Sequence, residues 1–153
     1  MTHLTFDHIP RALLDCMMQT EKQIRTRQKI PEPLLGLIRY YASVLNRCAY
    51  CMDMHFKEGI AAGETTQRLY SIAVWRDTSY YTAEEQAVLA WTEAVTQLNC
   101  TEQQRQAYFT QLQTFFPVED ITWLTLAITQ INTWNRLMKS FGIEAGNYQA
   151  GAH

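Results

Sequence analysis

Residues 46–63 read NRCAYCMDMHFKEGIAAG, and this stretch indicates both the fold and the chemistry of the chain. Asn46 is a residue type favoured at a helix N-cap, which predicts a helix that begins at Arg47. Gly63 suits the left-handed position that follows a helix, which predicts where that helix ends. The stretch therefore predicts one helix with two cysteines and a histidine near its start.

Apolar residues recur at helical spacing along the rest of the chain, which predicts an all-α fold of about six to seven helices. No composition change divides the sequence, so we expect a single domain over residues 1–153. The last helix is apolar on more than one side, which favours a homo-oligomer in which a second copy covers it. An N-terminal helix is predicted at about 10–29 and a helical core at about 33–141. Capping boxes at Thr82 and Thr101 predict the starts of two core helices. Besides the helix that carries the cysteines, the predicted core helices span about 34–45, 65–75, 82–98, 101–116 and 117–141.

The composition excludes several classes of protein. Of the 153 residues 47% are hydrophobic, including six Phe, four Trp and eight Tyr, which excludes global disorder. A formal charge of −2 does not suggest binding to nucleic acid. The longest nearly uncharged apolar run, residues 122–133, is too short and polar for a membrane span. The first residues lack a secretory pattern, so we expect a cytoplasmic location and reduced cysteines.

The motif C-x-x-C-x-x-x-H places Cys48, Cys51 and His55 on one face of the predicted helix. A thiolate is the reactive form of cysteine, and two features favour it here. The helix N-terminus stabilises negative charge most strongly at Cys48, whereas His55 can accept the proton of Cys51. The spacing alone does not decide which sulfur attacks first, but it predicts a dithiol capable of a disulfide cycle.

Other roles for the cysteines compete with this interpretation. A zinc site would need a fourth ligand, which the sequence does not supply in a second CxxC. Covalent haem attachment needs a histidine directly after the second cysteine, where Met52 stands. A purely structural role for the pair remains open. Cys16 and Cys100 are expected to be buried and inert. We therefore predict no metal and no cofactor.

The chain resembles the AhpD-like alkylhydroperoxidases of the carboxymuconolactone decarboxylase superfamily over roughly residues 33–141. The most specific part of the likeness is the sequence from Cys48 through Cys51 to His55. The likeness extends to Ser43, Asn46, Gly63, Glu64, Leu69, Ala73, Trp75, Arg76 and the stretch AWTEAVT at residues 90–96.

The resemblance implies an AhpD-like helical fold that assembles into homo-oligomers, commonly trimers or hexamers. It implies an alkylhydroperoxidase or disulfide reductase for antioxidant defence, acting on a small hydroperoxide without a metal. Cys51 would be the peroxidatic thiol, Cys48 the resolving thiol and His55 the proton relay. An external dithiol, of the kind carried by lipoyl proteins, would be the reductant.

Two departures from the family pattern weaken the implied proton relay. The family places a glutamate where this chain has Gly36, and a histidine where it has Tyr50. Another carboxylate could replace the missing glutamate. The candidates are Glu58, most simply a solvated charge, Glu85, which also fits a capping box, and Glu93.

Because the relay is incomplete, a second function stays open. The chain could be a helical redox sensor or binding protein in which a Cys48–Cys51 disulfide switches without turnover. A decarboxylase or isomerase using the same pocket is a third alternative. The cysteine pair argues against it, because the decarboxylases of the superfamily work without a CxxC pair.

Overall fold

The computed structural model of this protein describes residues 2–27 and 29–152. Within these residues the chain forms seven α-helices, two short 3₁₀ segments and no β-strand, which confirms the all-α prediction. The 3₁₀ segments are Phe6–His8 and Ile72–Asp77. The helices are α1 (Arg11–Thr26), α2 (Glu32–Leu45), α3 (Ala49–Ala61), α4 (Thr66–Ser71), α5 (Ala83–Gln97), α6 (Glu102–Leu112) and α7 (Val118–Phe141).

Helix ends agree with the prediction at the two capping boxes and at the two glycines that follow helices. Thr82 and Thr101 accept the backbone N–H groups of Glu85 and Gln104, each at 3.2 Å, and both capping boxes are complete. Gly142 and Gly63 follow α7 and α3 with φ of 69° and 93°.

Three predicted helix ends are wrong. The helix predicted over about 101–116 ends at Leu112, where the backbone continues as a turn that leads to Pro117. The first helix ends at Thr26 rather than near residue 29. Pro31 disfavours helical backbone at Ile30, whose buried side chain also draws the chain into the core. The helix predicted over 65–75 becomes 3₁₀ after Ser71, with a non-helical Val74 (φ −122°). The chain therefore bends before α5 instead of continuing straight.

Helix α2 lies at the centre of the fold and packs against α3, α5 and α7. Leu35 and Ile38 of α2 are buried together with Val88 of α5 and with Leu124 and Ile128 of α7. Full burial of each such side chain is worth about 1.5–3 kcal/mol relative to exposure. This packing fixes the C-terminal end of α2, and so the start of α3, against α7.

Helix α7 buries one apolar stripe and much of its other sides. Trp134 packs against the core, and its indole N–H donates to Glu21 of α1 at 2.9 Å. Leu126, on another side, is 47% exposed. None of the described helices, α7 included, combines the length and hydrophobicity that a bilayer span requires. The buried stripe consists of Ile121, Leu124, Ile128, Ile131 and Met138.

Candidate active site

The turn between α2 and α3 places Cys48 at the start of α3. Asn46 is the C-cap of α2, Arg47 adopts a left-handed conformation with φ of 52°, and Cys48 is the N-cap of α3. The Cys48 N–H donates to the carbonyl of Ser43 at 3.0 Å. The prediction that Asn46 caps α3 is therefore wrong by two residues.

Asn46 connects the turn with α7 instead of capping a helix. Its amide group donates two hydrogen bonds of 2.9 Å, to the side-chain oxygens of Asn132 and Asn135. Its backbone carbonyl accepts a bond of 3.0 Å from the ammonium group of Lys139. Both amide N–H groups of Asn46 are thereby satisfied by residues of α7.

Asn135 is the buried centre of this polar network. Its side chain is 0% exposed and donates to the hydroxyl of Ser43 at 3.0 Å. It also hydrogen-bonds the thiol of Cys51, an interaction that by itself lowers the pKa of that thiol. A fully satisfied buried network fixes the groups that it joins. Sequence periodicity missed this residue. The available signal was that Asn132 and Asn135 interrupt the apolar pattern of α7.

The two motif cysteines are buried. Cys48 and Cys51 are each 1% exposed and pack with Met138. A hydroperoxide can reach either sulfur only after a covering side chain moves. The outer members of the cluster are half-buried and comprise Tyr50, Trp134, Leu137, Phe141 and Ile143.

Contact between the two thiols lowers the pKa of Cys48 and raises the pKa of Cys51. The hydrogen bond from the Cys51 thiol lowers the pKa of Cys48 to about 7, against the opposing effect of burial. The Cys51 backbone N–H and the charge of Lys139 lower this pKa further. The same contact between the thiols, together with burial, raises the pKa of Cys51. The reduced pair therefore carries its first negative charge on Cys48, at the helix N-terminus.

His55 lies on α3, one turn after Cys51, and is half-buried. Tyr50, which stands where the family has a histidine, packs beside the pair. Burial, together with the neighbouring Cys51, Asp53 and Cys48, raises the pKa of the Tyr50 phenol. Tyr50 thus stays protonated near neutral pH and cannot supply the base that the family histidine would.

Gly36 lies in the middle of α2, where the resembling family has its glutamate. A Cβ atom added at Gly36 would meet no heavy atom within 4 Å. This position therefore has open space for a side chain but no titratable group.

The three carboxylates considered as replacements have structural partners. Glu85 completes the capping box with Thr82 and pairs with Arg68 at 2.6 Å. Glu93 accepts hydrogen bonds from Tyr41 at 3.1 Å and Arg76 at 2.6 Å. These contacts assign both residues to structural ion pairs and caps.

Glu58 holds the C-terminal segment, residues 143–152, against α3. Its carboxylate accepts hydrogen bonds from the Tyr148 hydroxyl and from the Gly151 N–H, the latter at 2.9 Å. Lys57 adds bonds of 3.0 Å to the carbonyls of Gly146 and Tyr148. The expectation of a solvated Glu58 is therefore wrong, because this segment folds back over the helix that carries the motif.

The remaining cysteines differ from expectation. Cys16 is exposed and Cys100 is half-buried, although both were expected to be buried. Their helical spacing predicted an apolar environment, but α1 turns Cys16 toward solvent. In the described part of the chain, no three or more His, Cys, Asp or Glu side chains are arranged to hold a metal ion.

Comparison with known proteins gives one family and several relatives. Residues 11–94 match the carboxymuconolactone decarboxylase family. YdfG of Bacillus subtilis (strain 168), an uncharacterised protein, is 32% identical over 131 residues, which are 86% of this chain and 88% of YdfG. The match to YdfG therefore covers most of both chains.

Two solved structures share the fold. ATU0492 of Agrobacterium tumefaciens, a protein of unknown function suggested to be the antioxidant defence protein AhpD, superposes with a TM-score of 0.89 and 31% identity. That match covers 97% of this chain and 100% of ATU0492. The debrominase Bmp8, without ligand, superposes with a TM-score of 0.70 at 18% identity, over 86% of this chain and 70% of Bmp8. At that identity Bmp8 is evidence for the fold alone.

Proposed function

This chain belongs to the carboxymuconolactone decarboxylase family and has an AhpD-like fold, and on that premise we propose that it is a thiol-dependent alkylhydroperoxidase or disulfide reductase in antioxidant defence. The single observation that carries the proposal is the contact between two cysteine thiols at a helix N-terminus, where the pKa of Cys48 is lowered to about 7. Such a pair holds a thiolate beside a second thiol at neutral pH. The suggested antioxidant role of ATU0492 agrees with this chemistry.

In the proposed cycle, a thiolate of the pair attacks the distal oxygen of a hydroperoxide, so that the O–O bond breaks. The sulfur becomes a sulfenic acid, and the departing alkoxide takes a proton and leaves as the alcohol. The second thiol then attacks the sulfenic sulfur, forming the Cys48–Cys51 disulfide and releasing water. An external dithiol reduces this disulfide by exchange and leaves as its own disulfide. No metal or organic cofactor takes part in these steps.

The family pattern makes Cys51 the attacking sulfur and Cys48 the resolving one. Because the resting negative charge lies on Cys48, the Cys51 proton must first move to Cys48 or to His55. We assign His55 as its acceptor because it lies one helical turn further along the same face of α3. Asn135 donates to the Cys51 sulfur and supports the thiolate once the proton has left.

The burial of both sulfurs favours a second candidate function. A sensor needs only to form its disulfide, whereas an enzyme must admit substrate and reductant repeatedly. In the sensor, the Cys48–Cys51 disulfide would change assembly or binding without turnover. The two functions make different predictions for the number of oxidant molecules that one chain consumes.

The test measures hydroperoxide consumption with an excess of dihydrolipoamide as the dithiol donor. All proteins carry Cys16→Ser and Cys100→Ser, so that only the motif pair can react. Three proteins are compared: this background, the background with Cys48→Ser, and the background with Cys51→Ser. Many turnovers that depend on both cysteines support the enzyme. One disulfide per chain without turnover supports the sensor. Equal turnover in all three proteins would exclude the enzyme, and failure of the oxidised pair to form a disulfide would exclude both functions.

We further propose that the chain lies in the cytoplasm, where a reducing environment would restore the dithiol. We also propose that it forms a homo-oligomer, a trimer or hexamer. Exposed Leu126 on α7, with Leu13 and Met18 on α1, supplies apolar surface for contact between copies. Sedimentation equilibrium of the native chain and of Leu126→Glu tests the assembly. A native monomer would contradict it.

A further inference from the structure

Three positively charged residues lie near Asn46, at the point where the chain enters α3. Arg47 follows Asn46 directly and is exposed. Lys139, also exposed, donates to the Asn46 carbonyl at 3.0 Å. Arg136 donates at 2.7 Å to the side-chain oxygen of Asn132, which also accepts the Asn46 amide at 2.9 Å. These contacts place Lys139 and Arg136 near Asn46, two residues before Cys48, and Arg47 follows Asn46 in the chain.

Within the described residues, no carboxylate pairs with these three cations, whereas other cations such as Arg39, Arg68 and Arg76 do form ion pairs. The chain as a whole is slightly acidic, with a formal charge of −2. A cation cluster of this kind on an acidic chain attracts anions locally and raises their rate of encounter.

A shallow surface depression lies beside Arg136 and Asn132. It has a volume of about 160 Å³ and is lined by Val95, Thr129, Asn132, Thr133 and Arg136. The lining combines a guanidinium group with hydroxyl and amide groups and one apolar side chain. It therefore suits a small organic acid better than it suits a purely apolar group.

The backbone at Arg47 is strained. Its φ of 52° lies in the left-handed region, where residues with a Cβ are uncommon and glycine is favoured. Strain of this kind is often retained at functional sites. Here it keeps a charged side chain, rather than a glycine, next to Cys48.

From these contacts we propose that Arg47, Arg136 and Lys139 form a carboxylate-binding site beside the start of α3, next to Cys48, which selects anionic disulfide or hydroperoxide substrates. The proposal deepens and rests on the proposed redox function of Cys48 and Cys51. A carboxylate bound here would sit beside the helix start, with the rest of the substrate directed toward the pair. Arginine supplies paired donors for such a group, and lysine a point charge.

The test compares two disulfide reagents on the reduced protein in the Cys16→Ser/Cys100→Ser background. Dithiobis(nitrobenzoate) carries two carboxylates and dithiodipyridine carries none. The ratio of their rate constants measures carboxylate recognition, because a change in thiol nucleophilicity affects both reagents. This matters for Lys139, whose charge also acts on Cys48.

The variants are Arg47→Gln, Arg136→Gln, Lys139→Gln and the triple substitution, at low ionic strength. We expect each single change to lower the ratio about threefold and the triple change about tenfold or more, with the difference disappearing in high salt. Lys29→Gln is the matched control. Lys29 pairs with Glu119 and Asp120 at the start of α7, about 28 Å from Lys139 at 1.5 Å per residue.

A ratio that stays within twofold in the triple variant, while dithiodipyridine still reacts, would overturn the carboxylate site and leave the redox function intact. If neither reagent reacts, the redox function fails, and binding is measured directly with nitrobenzoate. Chemical-shift changes at the Arg47 amide and at residues 132–139, lost in the triple variant, would support the site. No such changes would overturn it.

Discussion

The side-chain amide of Asn46 donates to the side-chain oxygen of Asn135 at 2.9 Å, across 89 positions of sequence. This bond joins the turn that positions Cys48 to the residue of α7 that contacts Cys51. Asn135 also binds Ser43, so α2, α3 and α7 meet at one buried amide. The geometry of the dithiol therefore depends on a polar contact with a distant helix.

Replacement of Asn135 by leucine should destabilise the protein by about 2–4 kcal/mol, because Asn46 and Ser43 lose buried partners. Urea unfolding of the reduced protein measures this effect. Asn147→Leu is the control, since Asn147 is exposed, and it should change stability by less than about 0.5 kcal/mol. Equal stability of the two variants would contradict the structural role of the network.

Alkylation of Cys48 should be half-maximal near pH 7, because only the thiolate reacts and the pKa of Cys48 is lowered to about 7. Cys51→Ala removes the donor that stabilises this thiolate, so the midpoint should rise toward the ordinary value of about 8.5. Iodoacetamide labelling, mapped by mass spectrometry in the Cys16→Ser/Cys100→Ser background, measures both midpoints. Labelling of Cys51 before Cys48 at pH 7 would contradict the order of acidities.

A glutamate at Gly36 should increase peroxidase activity, at least about tenfold, by restoring a proton acceptor. The added side chain has space at its Cβ, and replacing a mid-helix glycine gains up to about 1 kcal/mol. Gly36→Gln shares the size and the helix preference but cannot take a proton. Hydroperoxide turnover and urea unfolding of both variants separate the two effects. Equal turnover in Gly36→Glu and Gly36→Gln would exclude a relay from this position.

Replacement of Lys57 by methionine should release the C-terminal segment from α3. Lys57 donates to Asp53 at 2.9 Å and to the carbonyls of Gly146 and Tyr148 at 3.0 Å. Its loss should cost about 1–3 kcal/mol, and amide exchange at Gly146 and Gly151 should accelerate. Hydrogen-exchange mass spectrometry measures this, with Lys22→Met on exposed α1 surface as control. Unchanged exchange would mean that Glu58 alone holds the segment.

Local chemistry of the sequence determined the helical fold and most helix ends. Thr82 and Thr101 cap their helices with their own neighbours, and Gly63 and Gly142 accept left-handed backbone that other residues resist. The resemblance to the family follows from the motif and is confirmed by the match over residues 11–94. These features needed only residues close together in the chain.

Only the tertiary structure decided the environment of the motif. Asn46 is a residue type common at helix N-caps. Its partners, Asn132 and Asn135, lie on α7, and the local sequence pattern does not reveal them. The burial of Cys48 and Cys51 likewise comes from α7 and the segment after it. A thiol's acidity and access depend on the groups packed around it. Those groups come from distant parts of the chain, so the sequence alone identified the candidate reactive residues and the fold decided how they are held.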